Sequence, residues 1–497
     1  MVTAAGLWLT PFLLHRTGQH DYGLWLVGTQ VLAYLMLLDF GIVALLPRET
    51  AFATGRGRGA GRELPLLVGQ TSRIVLWQTP LAVLAAALLW VLLPEEWSPL
   101  RGPLGLVLVV FVVMFPLRVF QAVLQGLQDL EFLAKSQIVV WLVATALTVV
   151  LVLAGVGLYA LAAGWAAAQL LGAAVALLRL RARHPDALPR SLPRLPREAA
   201  RAKLASGFWV SVNQIAVILL AGTDLLVIGK LLGPAAVVPY ACTAKLALVL
   251  ANQPQMLLQA AIPALSELRG GAEREALARA STALGQMMLL LSGAAVCVVL
   301  VANRGFVSWW VGAEQYGGAV LTALVLGGLL LRHWNLTVGY ILFSFGYERR
   351  LAVTALLDGV VTVTATALLV PRLGLAGAPA GSLIGVLLVS LPGNMTALAR
   401  ADAVPLASLM RALSPWLWRF AALAAASGLA GWYFRGVNFY AVAAAALLTA
   451  VTYAAAMLPV ALGGPLGQYV RPRLSSLRVG LCRLLRRPSD ATEGGWS

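Results

Sequence analysis

Residues 9–46 read LTPFLLHRTGQHDYGLWLVGTQVLAYLMLLDFGIVALL. An apolar run reaches Leu14, a polar turn around Gly18 interrupts it, and a second run continues from Tyr22 to Leu46 with Asp39 as its one acid. Crossing ~30 Å of hydrocarbon takes about 20 residues of helix, and the second run is long enough. In lipid each backbone N–H and C=O must find a partner within the segment, so such runs are helices. The stretch therefore predicts a membrane hairpin.

The same pattern fills the rest of the chain. Fourteen apolar segments can be placed, at 1–15, 22–46, 72–93, 104–125, 136–156, 158–178, 205–230, 236–262, 283–302, 316–343, 352–370, 375–397, 413–433 and 437–461. Of the 497 residues 60% are hydrophobic and 11% charged, whereas a water-facing surface brings a soluble protein to roughly 25% charged. The predicted fold class is an all-α integral membrane protein with about 14 transmembrane helices and no separate soluble domain. Met1 leads straight into an apolar helix without a charged leader, so no cleavable signal is read.

Charge orients the helices. With the loop at 47–71 placed in the cytoplasm, that side carries 28 of the 37 lysines and arginines. The opposite side carries Arg16, Arg101, Lys230, Arg304, Arg372 and Arg435, and Arg118, Lys245 and Arg332 lie inside helices. The positive-inside rule then puts both termini in the cytoplasm. The net charge of +17 follows from topology and attraction to anionic membrane lipids, and implies no nucleic acid. The tail, with Arg473, Arg478, Arg483, Arg486 and Arg487 among leucines, reads either as a basic amphipathic helix on the inner leaflet or as an unstructured basic tail.

A weak internal repeat divides the chain. The pair LTPFLLHRTGQHDYGLWLVGTQ from Leu9 parallels DLLVIGKLLGPAAVVPYACTAK from Asp224. At an offset of 215 Gly18 falls on Gly233 and Trp25 on Tyr240; at 216 Pro47 falls on Pro263. This gives a lobe at 1–178, a basic linker at 179–204, a second six-helix lobe at 205–397, two added helices within 398–462 and a tail at 463–497. The offset also places the expected start of the first helix before Met1, so that helix reads as cut short, by truncation or a misassigned start; a naturally short helix is the alternative.

Several chemistries are excluded. Cys242, Cys297 and Cys482 have no paired spacing, and the four histidines do not cluster, so neither a disulfide framework nor a metal site is expected, and no cofactor. GTDLLVIGK from Gly222 has the wrong spacing for a P-loop, and GRGRGAGR from Gly55 lacks the third glycine of a dinucleotide fingerprint. Asn394-Met-Thr is a nominal sequon at a cytoplasmic helix end. All outward loops are short, the longest near Glu95–Pro103, which argues against an enzyme holding its chemistry in an outer loop.

The run TPFLLHRTGQHDYGLW, continued by LLDFGIVALLPRETA to Ala51, resembles the opening of bacterial polysaccharide-biosynthesis membrane proteins, the oligosaccharide-repeat flippases. GTDLLVIGKLLGPAAVVPYACTAKL from Gly222 resembles the start of their second lobe, and FQAVLQGLQ from Phe120 fits as well. These proteins belong to the multidrug/oligosaccharidyl-lipid/polysaccharide (MOP) exporter superfamily, with the MATE antiporters and lipid II flippases. DYGLW points to the polysaccharide branch. The resemblance implies two MATE-like six-helix bundles around a cavity that opens alternately to either side. It implies transfer of an undecaprenyl-pyrophosphate-linked oligosaccharide between leaflets, not enzymatic turnover, with glycan polymerases or glycosyltransferases as possible contacts.

Polar residues inside the apolar segments are costly and so become candidates. The fourth segment carries Arg118, Gln121 and Gln125 on one face, just past Pro116; the eighth carries Lys245, Asn252 and Gln259 at steps of seven; the tenth carries Arg332 and Asn335. For the implied substrate, cations suit the pyrophosphate and amides the sugar hydroxyls. The expected head-group contacts are Arg118, Arg332 and Lys245, joined by Arg48 and Arg16 at the two ends of the first hairpin. Asp39 and Asp224 are the candidates for coupling to Na⁺ or H⁺. The competing readings are structural: Arg118 pairs with Asp39, Arg48 only sets topology, and Asp224 makes a packing contact. Asp358 has no partner the sequence names. Lipid II transport, ion-coupled drug antiport and a non-transporting scaffold are the rival functions.

Overall fold

The computed structural model describes residues 2–55, 60–189, 191–260, 274–400, 406–433 and 438–471. Among these there are helices and no strand. Helix α1 spans Val2–Thr17, and Gly18, at φ 83°, turns the chain into α2, Gln19–Leu35. A 3₁₀ turn at Met36–Asp39 leads to α3, Ile42–Gly55. Then come α4 (Ala60–Val91), α5 (Arg101–Met114), α6 (Arg118–Gly126), α7 (Leu130–Leu153) and α8 (Leu158–Arg183). Beyond the linker lie α9 (Arg197–Ala221), α10 (Thr223–Leu231), α11 (Pro234–Ala260), α12 (Arg274–Trp310) and α13 (Ala319–Ser344). The remainder is α14 (Glu348–Leu373), α15 (Gly377–Gly385), a π-helical turn at Val386–Ser390, α16 (Leu391–Arg400), α17 (Leu406–Tyr433) and α18 (Phe439–Gly463).

Eleven helical stretches among the described residues are long and apolar enough to cross a membrane. Their outward faces fit lipid better than water. On α7 the residues Val139, Leu142, Val143, Val150 and Leu153 are all exposed, a contiguous apolar surface that a water-soluble monomer does not tolerate.

Helices reach further than the apolar runs that announce them. α4 begins at Ala60 rather than near residue 72, and α12 has 37 residues, about 55 Å at 1.5 Å per residue. Such ends carry charge and polarity that no hydropathy signal marks. Other segments are broken where one helix was expected. Pro116 lacks the N–H a helix needs and separates α5 from α6. The second segment breaks at Phe40–Gly41 and the seventh at Gly222. The expected amphipathic tail, and Pro263 of the repeat, lie outside the described residues.

The chain forms two compact units, one of residues 1–245, 307–324 and 349–390, the other of 246–306, 325–348 and 391–497. In the first, α8 packs on α7 and α5, and α3 lies against α4 and α6. Val110, Met114 and Ala166 form one of its buried clusters, joined by Leu117 and Trp165. In the second unit Ala247, Val296, Val299 and Leu326 are buried together, with Leu250, Leu300 and Phe420 against them.

Candidate functional site

The break in the second segment builds the best-defined polar site of the first unit. Phe40 takes a left-handed conformation (φ 47°, ψ 39°) and Gly41 follows at φ 68°. Gly41 is needed twice over. Its φ is one L side chains rarely adopt, and a Cβ there would stand 2.7 Å from the Gly207 carbonyl oxygen of α9. A Cβ on Gly207 would in turn meet the Phe40 carbonyl oxygen at 2.4 Å. The two glycines thus let α9 cross directly over the break.

Asp39 lies in this turn and is 1% exposed. Its Oδ1 accepts the Gly41 backbone N–H at 3.0 Å, and its Oδ2 is 3.3 Å from Arg118 Nη2. Two backbone carbonyls at the break are taken up by side chains. Gln78 on α4 donates to the Asp39 carbonyl at 3.2 Å, and Arg118 reaches the Met36 carbonyl at 3.5 Å. A broken helix at membrane depth is tolerated when neighbours satisfy its backbone in this way. Arg118 opens α6 just past the Pro116 kink and keeps 30% of its side chain exposed. A guanidinium has five N–H donors, so one bound to Asp39 and Met36 still has donors for an anion.

The other polar break in this unit surrounds Asp224, at the start of α10. Tyr240 on α11 donates its phenol to Asp224 Oδ2 at 2.6 Å. The neighbouring Thr223 hydroxyl bonds with the Tyr34 phenol from α2. The observed contact of Asp224 is therefore one that ties helices together. Asp358 on α14, without a sequence-named partner, accepts the Thr362 hydroxyl at 3.0 Å and a hydroxyl from Ser390, which the π-turn at 386–390 delivers.

The remaining candidates divide by unit. In the first, Lys245 is half-buried beside Gly6; Gln121 is half-buried; Gln125 and Arg16 are exposed; Arg48 is exposed and lies 5.5 Å over the Phe52 ring. In the second, Arg332 and Asn335 are half-buried on α13, and Asn394 Nδ2 donates to Asn335 Oδ1 at 2.9 Å. His333 Nδ1 and Ser292 Oγ are hydrogen-bonded at 2.7 Å. Asn252 and Gln259 of α11 are exposed.

Sequence reasoning missed Gln78, Tyr240 and Asn394, the last discounted as a stray sequon. Thr362, four residues after Asp358, carried a helical-spacing signal; Gln78, 39 residues from its acceptor, carried none. It also missed a cluster on the first unit's basic side, where Lys203 Nζ meets Glu49 Oε2 at 3.3 Å and donates to the Thr71 hydroxyl at 3.0 Å.

The sequence profile of the polysaccharide biosynthesis protein family matches residues 10–269. The chain belongs to that family. No curated relative matches it. Among solved structures, the chain is similar to an inward-facing multidrug resistance MATE family transporter of the MOP superfamily, at 14% identity and a TM-score of 0.63, over 82% of this chain and 94% of that one. It is also similar to the lipid II flippase MurJ in an inward closed conformation, at 10% identity and a TM-score of 0.60, over 91% and 97% of the two chains. A MATE structure in a bent conformation gives a TM-score of 0.54 at 14% identity, covering 82% and 93%. At these identities the likeness establishes the fold, that of MOP superfamily transporters. Family and helices together make this a multi-pass membrane protein.

Proposed function

We propose that this protein is a flippase that moves an undecaprenyl-pyrophosphate-linked oligosaccharide from the cytoplasmic to the outer leaflet by alternating access, for surface polysaccharide biosynthesis. The observation that carries this reading is the family match over residues 10–269. The fold neighbours, a drug transporter and a lipid flippase, agree with a moving cavity rather than with enzymatic turnover.

In this reading the chain crosses the bacterial inner membrane fourteen times. Counting α1 and α17, and dividing 348–400 at the 3₁₀ turn Gly374–Ala376 into two spans, brings the eleven long apolar stretches to that number. Residues 1–178 and 205–397 form the two lobes, and both termini face the cytoplasm.

Arg118, Arg332 and Lys245 contact the pyrophosphate, with Arg48 and Arg16 serving it at the two membrane faces. Gln121, Gln125, Asn252, Gln259 and Asn335 serve the sugar hydroxyls. Asp39 gives Arg118 a resting partner at 3.3 Å. A pyrophosphate entering the cavity competes for that guanidinium, because a bidentate Arg–phosphate contact is strong. The released Asp39 then takes up Na⁺ or H⁺, which links substrate loading to the ion gradient. Asp224 is the second carboxylate open to that role.

Deletion tests the reading. Loss of surface polysaccharide with intact peptidoglycan, restored by the intact chain, is the expected result. Lysis on depletion would move the substrate to lipid II, the second reading that the fold likeness to MurJ favours.

A further inference from the structure

The first unit holds a cavity of ≈ 430 Å³ that shares no residue with the Asp39–Arg118 site. It lies within the roughly 300–1,000 Å³ occupied by small-molecule sites. Its walls come from the end of α1 (Pro11, Leu14, His15), the start of α2 (Gln19) and the chain from Trp309 to Gln315.

Local structure explains why these residues meet. Gly18 ends α1 and reverses the chain into α2. α12 stops at Trp310, and Gly312, at φ 107°, turns the chain into a short 3₁₀ turn, Ala313–Gln315. The Trp310 indole N–H donates to the Leu7 carbonyl and fixes this turn to α1. Gln315 Nε2 donates to Gln19 Oε1 at 3.1 Å, and Gln19 Nε2 donates to the Ala235 carbonyl at 2.9 Å.

The wall chemistry is specific. Gln315 is 3% exposed, and its carbonyl oxygen has no hydrogen-bond partner in the protein. A buried acceptor left open calls for a donor, as an entering hydroxyl or water would supply. Trp309, 60% exposed overall, also lines the cavity. Glu314 supplies a carboxylate, and the lining includes neither lysine nor arginine. Such walls repel a pyrophosphate. They suit a ring with one apolar face for an indole and hydroxyls for amides and a carboxylate.

We propose that this cavity binds a neutral pyranose ring of the transported glycan, separately from the cations that hold the phosphates. This rests on the flippase reading. There the cavity lies at the membrane face opposite the basic loops, where the glycan emerges.

The test uses the full chain in phosphatidylethanolamine–phosphatidylglycerol nanodiscs. Saturation-transfer NMR is run with the methyl glycosides of glucose, galactose, mannose, rhamnose and N-acetylglucosamine, and with methyl glucuronide. At least one neutral glycoside should receive saturation from the wild type, and methyl glucuronide should receive less, repelled by Glu314. Trp309→Ala should weaken that binding roughly tenfold through loss of the ring face, and Trp309→Phe should retain most of it. Silence from every glycoside, or equal binding by Trp309→Ala, overturns the site and leaves the indoles as a membrane-interface belt. The flippase reading fails separately: a deletion strain that keeps its surface polysaccharide removes it even where the sugars bind.

Discussion

Replacing Arg118 by alanine strands the Asp39 carboxylate. With 1% of its surface exposed, Asp39 keeps only the Gly41 N–H as a side-chain partner once the guanidinium is gone. Removing one member of a fully buried ion pair costs roughly 3–5 kcal/mol. Arg118 is 30% exposed, which weakens the pair, so ~2–3 kcal/mol is expected for Arg118→Ala. Asp39→Asn should cost about 1 kcal/mol, because its amide oxygen still accepts from Gly41 and the guanidinium retains Met36 and solvent. The double variant buries no lone charge, so about 1–2 kcal/mol should return relative to the sum of the singles. Reversible unfolding in mixed dodecylmaltoside–dodecylsulfate micelles measures the cycle, and surface polysaccharide in a complemented deletion strain measures transport. An Arg118→Ala protein as stable as wild type, or a strictly additive double variant, would refute the pairing. Export restored by the double variant would show that Arg118 serves only Asp39 and would remove it from the pyrophosphate site.

Gly207→Ala should destabilise the protein by about 2 kcal/mol, as its methyl meets the Phe40 carbonyl and forces α9 off the break; unfolding in the same micelles reads this, and a neutral result would mean the crossing is looser. Asn394→Ala should leave Asn335 without its donor and lower export more than stability, compared by glycan staining and unfolding; the reverse balance would make the contact purely structural. Hydrogen bonding to Arg179 holds the Asp129 carboxyl below its usual range. The stabilisation from that pair is therefore present above the ordinary Asp value of about 3.9 and is lost as pH falls through the depressed folded value. Asp129→Asn should be less stable than wild type at neutral pH, the gap narrowing on acidification in unfolding scans; a gap that widens would reverse the assignment.

The apolar runs were legible because one property, about twenty residues without charge, is what lipid demands of each span. The breaks were not. Phe40 takes a left-handed conformation that its own side chain does not announce, and glycines such as Gly41 and Gly222 are too common in the apolar segments to single out a break as Pro116 does. Around the two breaks, Asp39, Arg118 and Asp224 stood out in the sequence as polar residues against an apolar background. The pairing of Arg118 with Asp39 was visible only as one of two alternatives, because the partners are 79 positions apart and no helical spacing joins them. Gln78 and Asn394 escaped for the same reason: each acts on an element distant in sequence. The cavity at His15, Gln19 and Glu314 needed three chain segments brought to one place, which periodicity within any one of them does not encode.

The most direct test of transport is reconstitution. Proteoliposomes loaded with an undecaprenyl-pyrophosphate oligosaccharide labelled on its sugar are treated with a membrane-impermeant oxidant that destroys the label only in the outer leaflet. The account predicts that the wild-type protein exposes nearly all of the label, while Arg118→Ala leaves the protected fraction seen in protein-free liposomes. A protected fraction unchanged by the wild-type protein, at an imposed ion gradient of either sign, would contradict it.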